Sequence, residues 1–142
     1  MTSERCLAFR HGFSQKRDSM IKYFPAPDIE QQAREIASIA NIQRDFERIH
    51  FVRSRGSTSS RTLARCHTVP RVIQSALLMK AHYIIEVISE HFDSLDEKEK
   101  TKTIIHELLH IPESMRGGFR HHDFVCRRNI DQIYRHYTNS KK

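Results

Sequence analysis

Thr103-Ile104-Ile105-His106-Glu107-Leu108-Leu109-His110-Ile111-Pro112 is the stretch on which the fold and the chemistry of this chain turn. It holds His-Glu-x-x-His inside a run that reads as helix. Residues four apart lie on one helix face, so His106 and His110 can aim two imidazoles at a common point. Neutral imidazole is a good zinc ligand. Glu107 follows the first ligand directly, the place from which a carboxylate can act as general base on a metal-bound water. A catalytic zinc site takes three protein ligands and keeps one position open, so two histidines leave it one short.

The missing ligand is offered a few residues on. Pro112 should end the helix, and Gly117-Gly118 lets the chain turn back. The turn leads into Phe119-Arg120-His121-His122-Asp123, so the third ligand is His121 or His122. The chain has ten histidines, and a chance match to the motif has a probability of roughly a few per cent. Context therefore has to carry the reading: apolar flanks, a helical period, a proline stop and a histidine-rich return. The plain alternative is an amphipathic helix with two solvated histidines.

The helix that bears the motif should span about residues 95–111. Ser94 with Glu97 fits a capping box at its start, and Asp96, Glu97 and Glu99 suit the positive end of the helix dipole. Before it, Ala81-His82-Tyr83-Ile84-Ile85-Glu86-Val87-Ile88-Ser89 is the strongest strand signal, β-branched and aromatic. A strand beside the site could hold an extended peptide by strand addition. Ile49 to Ser54 and Thr62 to His67 read as further strands, separated by the loop Gly56-Ser57-Thr58-Ser59-Ser60. Residues 71–79 fit a strand or a short helix equally. Ile29, Ala33, Ile36, Ala37 and Ala40 repeat at the helix period from Asp28 onward, and the period returns between Asp123 and Tyr137.

These elements predict an α+β fold: a zincin-like single domain with a small mixed or antiparallel sheet packed on helices, the active-site helix among them. Its parts are a loosely ordered basic arm over residues 1–27, the domain proper over 28–137, and a frayed tail over 138–142. A chain of 142 residues is large enough for one core. No apolar run reaches the roughly 18 residues of a membrane span, and the first residues lack a secretory pattern, so a cytoplasmic protein with no membrane contact is expected. Cys6, Cys66 and Cys126 are dispersed and odd in number, which argues against a disulfide framework. Cys126, four residues after His122, is a further candidate for approach to a metal.

Net charge is +7, and Arg53, Arg55, Arg61, Arg65 and Arg71 occur with no acidic residue between them. Such a surface attracts polyanions, so a nucleic-acid contact stands beside a protein or peptide substrate as an expected partner.

The sequence also resembles a known family, the zincin-type metallopeptidases of archaea and phages, distant relatives of the SprT-like proteins. The resemblance covers about residues 49–123. It is carried by Ala64-Arg65-Cys66, by Val69-Pro70-Arg71-Val72-Ile73-Gln74, and by the stretch from His82 to Leu95. It is most specific in Lys102 to Pro112 and in Gly117-Gly118-Phe119-Arg120-His121-His122. The long metzincin pattern is excluded, because Glu113 and Arg116 stand where it needs Gly and His.

The resemblance implies a zinc-dependent metallopeptidase binding one zinc ion. It makes His122 the best match for the third ligand beside His106 and His110, with His121 as the alternative. Glu107 is then the catalytic base on the zinc-bound water. Tyr83 and Arg120 are candidate oxyanion donors, and Asp123 is a candidate to orient a ligand imidazole. Two rival functions follow from the same residues. One is a zincin-like RNA nuclease, although that family carries Gly where this chain has Glu107. The other is a non-enzymatic, zinc-stabilised nucleic-acid-binding protein, its metal closed by a fourth ligand from Cys126 or the spare histidine.

Overall fold

The computed structural model describes residues 20–141. Four strands form one sheet: β1 (Lys22–Pro25), β2 (Ile49–Arg55), β3 (Ala64–Thr68) and β4 (Tyr83–Ile88). The helices are α1 (Pro27–Ile39), α2 (Arg71–Ala76), α3 (Ser89–Phe92), α4 (Glu97–His110) and α5 (Arg127–Lys141), with a 3-10 turn at Phe46–Arg48 before β2. The domain is α+β with a mixed sheet, as the sequence leads one to expect.

Strand order is β1-β2-β4-β3. β2 and β4 run parallel, whereas β1 on β2 and β3 on β4 are antiparallel. The apolar strand read as lying beside the site, β4, is therefore interior, with both edges already paired. Among the described residues the unpaired edges of the sheet belong to β1 and β3, and β3 is the one that packs beside α4. Register places Ile49 beside Tyr83 and Phe51 beside Ile85. With Val87 these side chains share one face, since alternate residues of a strand point the same way. They join one core with Ala33 and Ile36 of α1, Ile104, Ile105 and Leu108 of α4, and Ile130 and Tyr137 of α5. On the opposite face Glu86 is buried, and it accepts a hydrogen bond from His67 Nε2 at 2.8 Å.

Several sequence expectations change at the element ends. Of the arm expected over residues 1–27, residues 1–19 lie outside the described residues. Lys22–Pro25 is not loose: it pairs with Val52 to Arg55. Pro27 then opens α1, a position where its missing N–H costs nothing. At the other end, the tail expected over 138–142 is helical as far as Lys141. There Lys141 Nζ reaches Glu35 of α1 at 3.1 Å and the Tyr137 hydroxyl at 3.2 Å. The last helix begins at Arg127 rather than Asp123, and of residues 71–79 the first six form the short helix α2, in which no residue is buried.

The motif helix also starts by another device. Asp96 caps it, its side chain accepting from the Glu99 amide at 2.8 Å, while Ser94 Oγ donates backward to the His91 carbonyl. Part of the arginine run is consumed inside the fold. Arg53 bonds Asp28 at 2.6 Å and Asp93 at 3.1 Å. Among the described residues no helix is long and apolar enough to cross a membrane.

Candidate metal centre

α4 ends at His110, and its last two turns put His106 and His110 on the same face with Nε2 atoms 3.1 Å apart. Between these turns Ile104, Ile105, Leu108 and Leu109 are buried, which fixes the rotation of the helix. The chain leaves α4, turns at Gly117 and Gly118, both at positive φ, and returns along the helix end. That return delivers His122, whose ring lies 5.5 Å from that of His106 and 5.0 Å from that of His110, centroid to centroid. One nitrogen from each of the three rings falls within 4.8 Å of the others.

Of the two histidines left open after the glycine turn, the geometry brings in His122. His121 lines the same cavity without joining the group. Its carbonyl is used by the Phe124 and Val125 amides, which close the turn. Cys126 is not in the group either. Among the described residues no cysteine or carboxylate joins the three imidazoles.

The orientation of His110 comes from the backbone. Its Nδ1–H donates to the Arg120 carbonyl at 2.7 Å, which leaves the Nε2 lone pair free on the side of the other two rings. The candidate for this role in the sequence, Asp123, instead accepts from its neighbour's amide, Phe124 N, at 2.8 Å. Tyr83 has also been drawn into structural service. Its buried hydroxyl accepts from Gly117 N–H at 2.9 Å and donates to the Gly118 carbonyl at 3.2 Å. It therefore holds the glycine turn rather than a substrate oxygen. Arg120 lies over the Phe124 ring, 3.4 Å from guanidinium carbon to centroid.

Two further residues hold this loop, and no pattern in the sequence points to either. Arg44 Nε donates to the Ile111 carbonyl at 2.9 Å, and an Arg48 guanidinium N–H donates to the Met115 carbonyl at 2.9 Å. Both arginines lie in the stretch before β2 that carries no clear period. Only the tertiary fold brings them to the end of α4.

Electrostatics in the cluster favour neutral groups. Burial, then the neighbouring His110 and His122, pushes His106 down to about 4, so its ring stays unprotonated. Burial alone pushes the Glu107 carboxyl up to about 7. Burial, with Glu107 adding to it, pushes the Cys66 thiol up to about 12. Three imidazoles converging on one point are a donor set that suits zinc and other first-row transition ions. The residues present therefore fit a bound metal, which three protein donors would leave with a coordination position open.

Two cavities meet at this cluster. One, of about 340 Å3, is bounded by the three histidines, by Phe119 and Arg120, and by Ala64 to Cys66 of the open-edged strand β3. The other, of about 630 Å3, runs from His106 and Glu107 along α4 towards the start of α5.

A family model described as "Putative phage metallopeptidase" matches residues 21–139. No curated protein and no solved structure matches the chain. The match covers most of the chain, and the chain belongs to this phage metallopeptidase family.

Proposed function

We propose that this member of the phage metallopeptidase family is a zinc-dependent peptidase that cleaves extended polypeptide, with His106, His110 and His122 holding one zinc ion and Glu107 as general base. The observation that carries the reading is the convergence of three imidazoles within 4.8 Å beside a buried carboxylate, in a cavity bordered by a strand edge that is unpaired among the described residues. Zinc held there would supply Lewis acidity, polarising the scissile carbonyl and acidifying a water.

The chain's own groups do the rest. Glu107 is 6% exposed and titrates near neutrality, which matches a group that must first take a proton and then release it. It accepts the proton of the attacking water and passes it to the leaving amide nitrogen. His110 keeps its donor nitrogen fixed through the Arg120 carbonyl. The outer edge of β3 offers backbone N–H and C=O groups to an extended substrate, and its residues Ala64 to Cys66 border the histidine cluster. A peptide paired there would be carried directly over Glu107.

Incubation of an unfolded protein and of structured RNA with the purified chain, each with and without chelator, tests the reading. Chelator-sensitive cleavage of the protein alone is expected. Chelator-sensitive cleavage of RNA alone would replace the peptidase reading with a nuclease.

A further inference from the structure

We propose that the cavity between α4 and α5 is the specificity pocket of the enzyme, and that it takes a large apolar side chain from the substrate residue next to the scissile bond. The proposal rests on the peptidase reading and adds to it the class of residue selected.

Position comes first. The cavity of about 630 Å3 shares His106 and Glu107 with the metal centre, and Ala64 with the open strand edge. Its size falls in the range of roughly 300–1,000 Å3 typical of ligand sites. Along α4 it follows Glu99, Thr103 and His106, residues three or four apart and hence on one face. A substrate strand lying on β3 passes Leu63 and Ala64 at this cavity, then Ala64 to Cys66 at the metal centre. Alternate side chains of such a strand point to opposite faces, so one residue beside the scissile bond faces the pocket and its neighbour does not.

Lining comes second. Val125 and Ile130 are buried and, with Leu63, give the cavity an apolar lining. Besides Glu107 at its metal end, four charged residues border it, and these four balance: Lys102 and Arg127 against Glu99 and Asp131. Lys102 Nζ is bonded to Asp131 at 2.9 Å and lies 5.4 Å from the Tyr134 ring, so these two charges are spent on each other. The overall charge of +7 would suggest acidic substrates. Away from Glu107 this pocket offers no net charge, and Glu107 itself would disfavour an acidic side chain, so selection by size and apolar contact remains.

The test uses the full, zinc-loaded chain on a complex peptide mixture, with both sides of every cut mapped by mass spectrometry. The wild type is compared with Ile130→Phe, which fills the pocket from the helix, and Leu63→Trp, which fills it from the strand side without touching α5. In the wild type, one fixed position beside the cut should be enriched at least tenfold in Leu, Met and Phe over Ser, Asp and Lys, the scale on which an apolar pocket discriminates. Either variant should shift that position towards Ala and Gly. Chelator-sensitive cuts with no enrichment at either flanking position, or with an enrichment both variants leave unchanged, would overturn the pocket while the peptidase reading stands. If nothing is cut, the peptidase reading fails, and the pocket is judged by calorimetry on Glu107→Gln. There, a blocked leucine peptide binding at least tenfold tighter than its serine counterpart supports the pocket, and equal binding overturns it.

Discussion

His110 and Arg120 are locked to each other twice: the Arg120 amide donates to the His110 carbonyl at 2.8 Å, and His110 Nδ1–H donates to the Arg120 carbonyl at 2.7 Å. One bond ties off the last carbonyl of α4, and the other sets the tautomer of the imidazole at its end. His122, the proposed third ligand, follows two residues later. The same pair of residues thus terminates the helix, aims one imidazole and positions the next.

Metal content should follow this geometry. His106→Ala, His110→Ala and His122→Ala are each expected to lose near-stoichiometric zinc, whereas His121→Ala keeps it. Elemental analysis of the four purified variants beside the wild type reads the result. Zinc retained by His122→Ala and lost by His121→Ala would reverse the ligand assignment.

Glu107→Gln should retain zinc and lose hydrolysis by about a hundredfold or more, the usual worth of a positioned general base. A variant with unchanged kcat/KM would remove Glu107 from the chemistry.

The same substitution has a consequence for the metal-free protein. Burial raises the Glu107 carboxyl from 4.5 to about 7, so the folded state binds that proton more tightly than the unfolded chain. Its contribution favours folding at acid pH and is lost as pH rises through about 7. His106 is lowered from 6.5 to about 4, so its contribution has the opposite sign and is lost as pH falls through that interval. The two slopes oppose each other in the wild type. In chelator, Glu107→Gln should show stability rising more steeply with pH between 4 and 6.5 than the wild type. At pH 8 it should exceed the wild type by up to about 3 kcal/mol. Urea denaturation across pH measures both, and parallel pH profiles for the two proteins would contradict the assignment.

Tyr83→Phe removes one hydroxyl that serves two backbone groups, Gly117 N–H and Gly118 C=O. A buried group left without its partner costs about 1–3 kcal/mol, and a loss of this order is expected in denaturant titration. Zinc affinity should fall with it, because the glycine turn sets the path to His122. Unchanged zinc affinity in a folded variant would show that the turn holds without the phenol.

Asp96→Ala should cost about 1 kcal/mol through loss of the α4 cap, and Ser94→Ala less, since only Asp96 satisfies a helix amide. Thermal unfolding of the two variants distinguishes the caps. The greater loss in Ser94→Ala would restore the capping box read from the sequence.

Those two residues also show where sequence reading stops. The existence of α4 and the shared face of His106 and His110 follow from a four-residue spacing, which any helix enforces. The identity of the cap does not, because Ser94 and Asp96 are both good candidates and the choice depends on where α3 ends. The third ligand is a similar case. A turn obeys no period, so spacing does not separate His121 from His122; the family resemblance favours His122, and Gly117, Gly118 and Tyr83 fix the path that brings it in. β1 escaped notice because all four of its residues are exposed, which leaves no alternation to read. The interior place of β4 was hidden for another reason. Parallel pairing with β2 joins residues some thirty apart in the chain, and nothing local records it.

Met115 and Val125, 3% and 1% exposed, plug into the core on either side of the strap that carries Arg120 and His122. A strap riveted at both ends does not wait for an ion to shape it. Core packing thus contributes to the placement of the three imidazoles, and a metal ion held there would not have to fold the strap by itself. Choice among ions then falls to a fixed spacing of three nitrogens rather than to a loop that adapts to whatever arrives.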